Sequence, residues 1–186
     1  MISSKNNGFG HGLYVNIARI KQPIELFILF RALGVETDKK ICEYIGTNIK
    51  EGPWGGGNLF AINLKKYLQS KGHTVVHDLL DSDIDLILIT EPRKTSESSA
   101  FTHFDVLNYI NFVNYETLVF HRINECDERK NTNFTNKYII NANLVSDYTI
   151  FVSTWLKNLY EAQGINKRNN YVILAGSDKT IFNRES

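Results

Sequence analysis

Tyr44-Ile-Gly-Thr-Asn-Ile-Lys-Glu-Gly-Pro-Trp-Gly-Gly-Gly-Asn58, running on into Leu59-Phe-Ala-Ile-Asn-Leu-Lys-Lys-Tyr-Leu-Gln-Ser70, is the stretch on which the fold turns. Its first six residues read as a short strand and residues 51–57 as a glycine-rich turn. Asn58 reads as the N-cap of a helix over 59–70, where Leu59, Ile62, Leu64, Tyr67 and Leu68 give a broad apolar face. Lys71-Gly72-His73 then supplies the glycine that ends a helix. The same rhythm repeats downstream. Thr74-Val-Val-His77 reads as the next strand. Ile84-Asp-Leu-Ile-Leu-Ile-Thr90 has the continuous apolar run of a parallel strand buried on both faces. Residues 117–121, 148–153 and 171–175 read as further strands, with helices over 104–113, 136–145 and 154–163, the last stopped by Gly164. Residues 93–99 are polar and read as a mobile loop. Strands alternating with helices at this spacing predict an α/β fold, a Rossmann-like parallel sheet with helices on both faces.

Before Tyr44 the pattern changes. Gly8, Gly10 and Gly12 make a loose opening, and Leu13-Tyr-Val-Asn-Ile17 alternates like a strand. Pro23 interrupts the chain, residues 24–33 suit a strand running into a buried helix, and Thr37 caps a short helix over 38–43. We therefore expect a short α+β appendage over residues 1–43 and the main domain over 44–186.

A chain of 186 residues accommodates one domain with a full core and a small addition. A net charge of +1 makes no global electrostatic demand for nucleic acid or membrane. Cys42 and Cys126 lack metal-ligand spacing and read as reduced thiols. His73 and His77 flank a short strand with no matched carboxylate or thiol, so no metal site is expected. Asn133-Phe-Thr135 matches a glycosylation sequon by chance. The start lacks the apolar core of a signal peptide, and Glu25 and Arg31 interrupt the longest apolar stretch. These features predict a cytoplasmic protein without a transmembrane segment.

In a parallel sheet, ligands bind beyond the carboxyl ends of the strands. Four segments are expected there. Gly55, Gly56 and Gly57 with Asn58 allow close backbone approach at a helix start, where free N–H groups and a partial positive charge suit a phosphate or a sugar hydroxyl. The same residues equally make an ordinary tight βα turn. His121-Arg122-Ile-Asn124 opens a run of ten residues with seven ionisable side chains. His121 is the candidate proton carrier and Arg122 the candidate clamp for an anion, with Asn124 as a neutral hydrogen-bonding group. A charged solvated loop is the alternative. Arg93, in Glu91-Pro-Arg, and Ser153, in Ser-Thr-Trp, complete the candidate binding residues; a plain turn and a helix N-cap are their alternatives. No Ser-His-Asp or Cys-His arrangement is present in the pattern.

Ile45-Gly-Thr-Asn-Ile-Lys-Glu-Gly-Pro-Trp-Gly-Gly-Gly-Asn58, Lys71-Gly-His, His121-Arg-Ile-Asn, Val152-Ser-Thr-Trp-Leu and Tyr171-Val-Ile-Leu-Ala-Gly-Ser-Asp-Lys-Thr-Ile-Phe-Asn183 together resemble the N-terminal, acceptor-side domain of a retaining GT-B glycosyltransferase. The departures are Ala175, where that family usually has Asn, and Ser177, where it usually has Val. The resemblance implies sugar transfer, of hexosyltransferase type, from a nucleotide-sugar to a glycosyl acceptor, with no covalently bound cofactor. It also implies a C-terminal donor-binding domain, which this sequence does not contain, so the chain alone is expected to be nearly inactive. Lys5-Asn-Asn, Gly10-His-Gly-Leu-Tyr-Val-Asn16, Ile20-Lys-Gln-Pro-Ile-Glu-Leu-Phe-Ile-Leu-Phe-Arg-Ala-Leu-Gly-Val35 and Asp38-Lys-Lys-Ile-Cys-Glu-Tyr-Ile45 resemble instead the second-largest subunit of multisubunit RNA polymerase, nearest in flavour to that of large DNA viruses. The two resemblances together imply a fusion. The alternative to the transferase is a polymerase fragment with a structural, nucleic-acid-associated role.

Overall fold

In the computed structural model, residues 42–174 are described, apart from Pro53 and His77. The polymerase-like stretch up to residue 41 lies outside the described residues, as do Ala175 and Ser177. Among the described residues, six strands form one sheet: β1 (Cys42–Ile45), β2 (Thr74–Val76), β3 (Leu86–Ile89), β4 (Leu118–Ile123), β5 (Tyr148–Phe151) and β6 (Asn170–Val172). Every pairing is parallel, in the order β2-β1-β3-β4-β5-β6. The connecting helices are α1 (Gly55–Ser70), α2 (His103–Phe112), α3 (Asp127–Lys130), α4 (Thr135–Asn143) and α5 (Thr154–Ala162).

The apolar runs explain the layering. All residues of β3 and β4 are buried. Leu86, Leu88, Leu118 and Phe120 pack with Ala61 and Leu68 of α1. The alternate residues Ile87, Ile89 and Val119 pack with Val106 and Tyr109 of α2. Ile123 and Phe151 pack with Ile139 of α4 and with Leu156 and Tyr160 of α5. One face thus carries α1 and the other carries α2, α4 and α5. Right-handed crossovers require this split, because the chain moves one way from β1 to β2 and the opposite way from β3 onward. The parallel α/β expectation is met, and the strand order is one of the two common doubly wound orders.

Three local expectations are corrected. β1 includes Cys42 and Glu43, ahead of the strand start read at Tyr44. The glycines are not a turn ahead of the helix; they are the first residues of α1, whose N-cap is Trp54. Asn58 is therefore inside the first turn rather than at the cap. Its amide does something else: Nδ2 donates to the Lys50 carbonyl at 2.8 Å, and Oδ1 accepts from the Lys50 N–H at 2.9 Å. Pairing two backbone groups of an incoming loop satisfies more hydrogen-bonding capacity than one cap bond, which accounts for the shift. At the other end the expectation holds. Gly72 has φ +84°, His73 N–H reaches Leu68 O at 3.1 Å and Gly72 N–H reaches Gln69 O at 3.0 Å, the paired bonds of a Schellman stop.

Among the described residues, no helix is long and apolar enough to cross a membrane.

Candidate binding site at the carboxyl edge

The reversal of strand order falls between β1 and β3. β3 lies between β1 and β4. The loops after β1, β3 and β4 nevertheless share one edge, because all three strands are parallel and adjacent in that order.

Gly46, at the end of β1, permits this crowding. A Cβ there would lie 2.8 Å from the Leu88 carbonyl oxygen and 2.9 Å from Cζ of Phe101. Thr47 Oγ1 meets Thr90 Oγ1 at 2.7 Å. Asn48 donates through its backbone to Ser98 O at 3.0 Å and through Nδ2 to Ser99 O at 2.9 Å. Lys50 Nζ reaches Glu97 at 2.7 Å. The polar loop over 93–99, read from sequence as mobile, is thus tied to the β1–α1 connection through its last three residues, Glu97, Ser98 and Ser99.

Arg122 is the most informative side chain. It sits on β4 with 8% of its surface exposed. Its guanidinium lies 3.9 Å above the ring centroid of Phe60, in the second turn of α1. Among the described residues it makes no ion pair or hydrogen bond. Burial lowers its pKa from the usual guanidinium value, the direction expected for a cation taken from water without a compensating anion. The contact with Phe60 brings Arg122 against the same helix that begins at the glycines. That helix start has no side-chain cap and no acidic residue in its first turn. Its first N–H groups have no intrahelical acceptors. A Cβ built on Gly55, Gly56 or Gly57 meets nothing within 4 Å, so the space over the helix start is open.

The other predicted residues are differently placed. Arg93 is engaged by its own neighbour. Nε and Nη2 donate to Glu91 at 2.7 and 2.6 Å, and this hydrogen-bonded pair raises the Arg93 pKa. It is not free for a substrate anion unless Glu91 gives way. Ser153 is the N-cap of α5, its Oγ accepting from Leu156 N–H at 3.2 Å. Asn124 lines a small pocket with Thr90–Arg93, His121–Glu125 and Ile139. About 10 Å³ of that pocket is open to the centre of a water, which is room for about one.

His121 faces the α2 and α4 side of the sheet, opposite to Arg122. It is 1% exposed, and Nδ1 lies 3.2 Å from Asn143 Nδ2, within a cluster that includes Ser146 and Thr149. Burial, with His103 nearby, depresses its pKa to about 3. It is therefore neutral at pH 7, and the catalytic proton-carrier role proposed from sequence does not fit this setting.

Sequence reasoning missed His103, the first residue of α2. It is buried, its Nδ1 has no hydrogen-bond partner, and its ring meets Tyr138 edge-on at 5.6 Å. Nothing in Thr102-His-Phe-Asp105 distinguishes it from a helix start, and Asp105 does accept from the Thr102 N–H and hydroxyl. The charged run after β4 was also misjudged in form. It folds into α3, and Asp127 caps α4 by accepting from Thr135 and Asn136 N–H groups at 2.9 and 3.1 Å. Among the described residues no group of three or more His, Cys, Asp or Glu side chains could hold a metal ion.

Compared with protein-family models, with characterised proteins and with solved structures, the chain finds no match.

Proposed function

We propose that the described domain binds a phosphorylated sugar compound at its carboxyl edge, as the acceptor-side half of a GT-B type glycosyltransferase. The observation that carries this reading is the largely buried Arg122 side chain. It has no anionic partner among the described residues, and it packs on Phe60 in the second turn of a helix whose start is uncapped and has open space over three glycines. Burying an unpaired cation costs stability. A protein keeps such a group where a ligand supplies the missing anion. In this reading the N–H groups of Gly55–Asn58 bind the phosphate oxygens, the α1 dipole favours their charge, and Arg122 supplies a charge-assisted bond. The sequence motifs described above supply the choice of a sugar nucleotide among phosphate compounds. The proton-transfer step, if any, falls to a group other than His121.

Calorimetric titration with pyrophosphate, UDP-glucose and GDP-mannose tests the reading. Arg122→Met keeps the apolar stem over Phe60 and removes the charge. It should weaken binding at least about tenfold, as expected for loss of a charge-assisted hydrogen bond of about 1.5–3 kcal/mol. The same substitution should leave the melting temperature unchanged or raise it. Undiminished binding by Arg122→Met, or no binding of any of these anions by the parent chain, refutes the proposal.

A further inference from the structure

Trp54 is 54% exposed at the carboxyl edge, yet it is held by several contacts. Its indole N–H donates to Glu51 O at 2.8 Å, and its backbone N–H donates to Gly52 O at 3.0 Å. Lys50 Nζ lies 4.1 Å from the ring centroid and is itself fixed by Glu97 at 2.7 Å. The Lys50 backbone is in turn gripped on both sides by the buried Asn58 amide. The ring is thus orientated from three directions, one of its faces lies under a cation, and more than half of its surface still meets solvent. Gly52 and Gly55, both at positive φ, carry the chain through the turn on either side of it. No core packing accounts for a large aromatic group fixed in this way, because Trp54 belongs to none of the buried clusters.

We infer that Trp54 is a stacking platform for the pyranose ring of a phosphorylated hexose, whose phosphate lies over Gly55–Gly57 toward Arg122. The inference rests on the phosphate reading of the helix start given above, and it names the group attached to that phosphate. Trp54 directly precedes the glycines, so a ring on the indole and a phosphate on the first N–H groups can belong to one small molecule. The axial C–H face of a pyranose is apolar and matches an indole face, while its hydroxyls stay in water. Lys50 lies over one face, and the exposure of the residue as a whole leaves apolar surface for the ligand. A ring already fixed loses little freedom on binding, which favours affinity.

The test uses the full chain and five probes: inorganic phosphate, glycerol 3-phosphate, and the 1-phosphates of glucose, galactose and mannose. At least one hexose phosphate should bind about fivefold more tightly than glycerol 3-phosphate. That factor is the equivalent of about 1 kcal/mol, the value of about 40 Å² of apolar surface removed from water. Trp54→Ala should abolish this preference and leave the affinity for inorganic phosphate unchanged, and Trp54→Phe should keep part of it. In a Trp155→Phe background, the hexose phosphate should shift the Trp54 emission and inorganic phosphate should not. If no hexose phosphate is preferred, or if Trp54→Ala keeps the preference, the platform is overturned. Phosphate binding that still depends on Arg122 would then leave the broader functional reading standing. If none of the probes binds, both fall.

Discussion

Acidification should destabilise this domain through His121 well before the carboxylates begin to titrate. The ring is fully buried and its pKa in the folded protein is about 3, against 6.5 for a free imidazole. The unfolded chain therefore binds a proton between pH 6.5 and 3 that the folded chain does not. Stability from this group is complete above pH 6.5 and is lost as pH falls toward 3. The whole effect is about 5 kcal/mol, and the part lost by pH 5 is about 2 kcal/mol, a large share of a typical domain's stability. His103 is lowered by burial as well and pushes in the same direction. Urea unfolding followed by circular dichroism at pH 7.5 and pH 5.0 gives the difference directly. His121→Gln, which cannot titrate, should remove about 2 kcal/mol of that pH dependence. Should the variant fold poorly, the imidazole resonances of the parent protein provide the same information, since the His121 ring should remain neutral at pH 5. An ordinary midpoint near 6.5 for that ring, or an unchanged pH dependence in the variant, would refute the reasoning.

Gly56 lies in the first turn of α1 with a negative φ and open space around its Cα. Gly56→Ala should raise stability by up to about 1 kcal/mol through helix propensity while weakening pyrophosphate binding in calorimetry; tighter or unchanged binding would show that the helix start is not a phosphate contact. Gly46→Ala should do the reverse to stability. Its methyl group would press on the Leu88 carbonyl oxygen and Phe101, and a loss of about 1–3 kcal/mol in urea unfolding is expected.

Legibility in the sequence followed the range of the interactions. Ile84-Asp-Leu-Ile-Leu-Ile and Leu118-Val-Phe marked buried parallel strands because burial on both faces leaves no polar alternation. Lys71-Gly72-His73 marked a helix end because a positive φ is a local requirement. The role of Asn58 was invisible for the opposite reason. Asn is a common N-cap, and only the folded loop brings the Lys50 backbone to its amide. Arg122 was chosen for its charge, but its significance lies in being buried over Phe60 without a counter-ion among the described residues, which depends on helix and strand meeting across the sheet. His121, the candidate proton carrier, and Arg122, the candidate anion clamp, looked like neighbours in one site in sequence. Alternation along β4 sends them to opposite faces. Arg93 looked free because a bidentate contact with Glu91 across Pro92 is a matter of turn geometry. The strand order carries no local signature, because it is set by how distant segments pair.

The all-parallel sheet also bears on how the molecule is made. No two neighbouring strands are joined by a hairpin, and β1 must wait for both β2 and β3 before its edges are closed. A long excursion separates each strand from its partner, so loop entropy is lost before any pairing compensates for it. Folding should therefore be slow compared with a helical bundle of equal size. Of the described strands, β1 leaves the ribosome first, and among them it stays half-paired until β3 follows. Nascent chains halted between β2 and β3 would expose one edge of β1 together with the apolar face of α1, which makes that interval the one at which aggregation or chaperone capture is most to be expected.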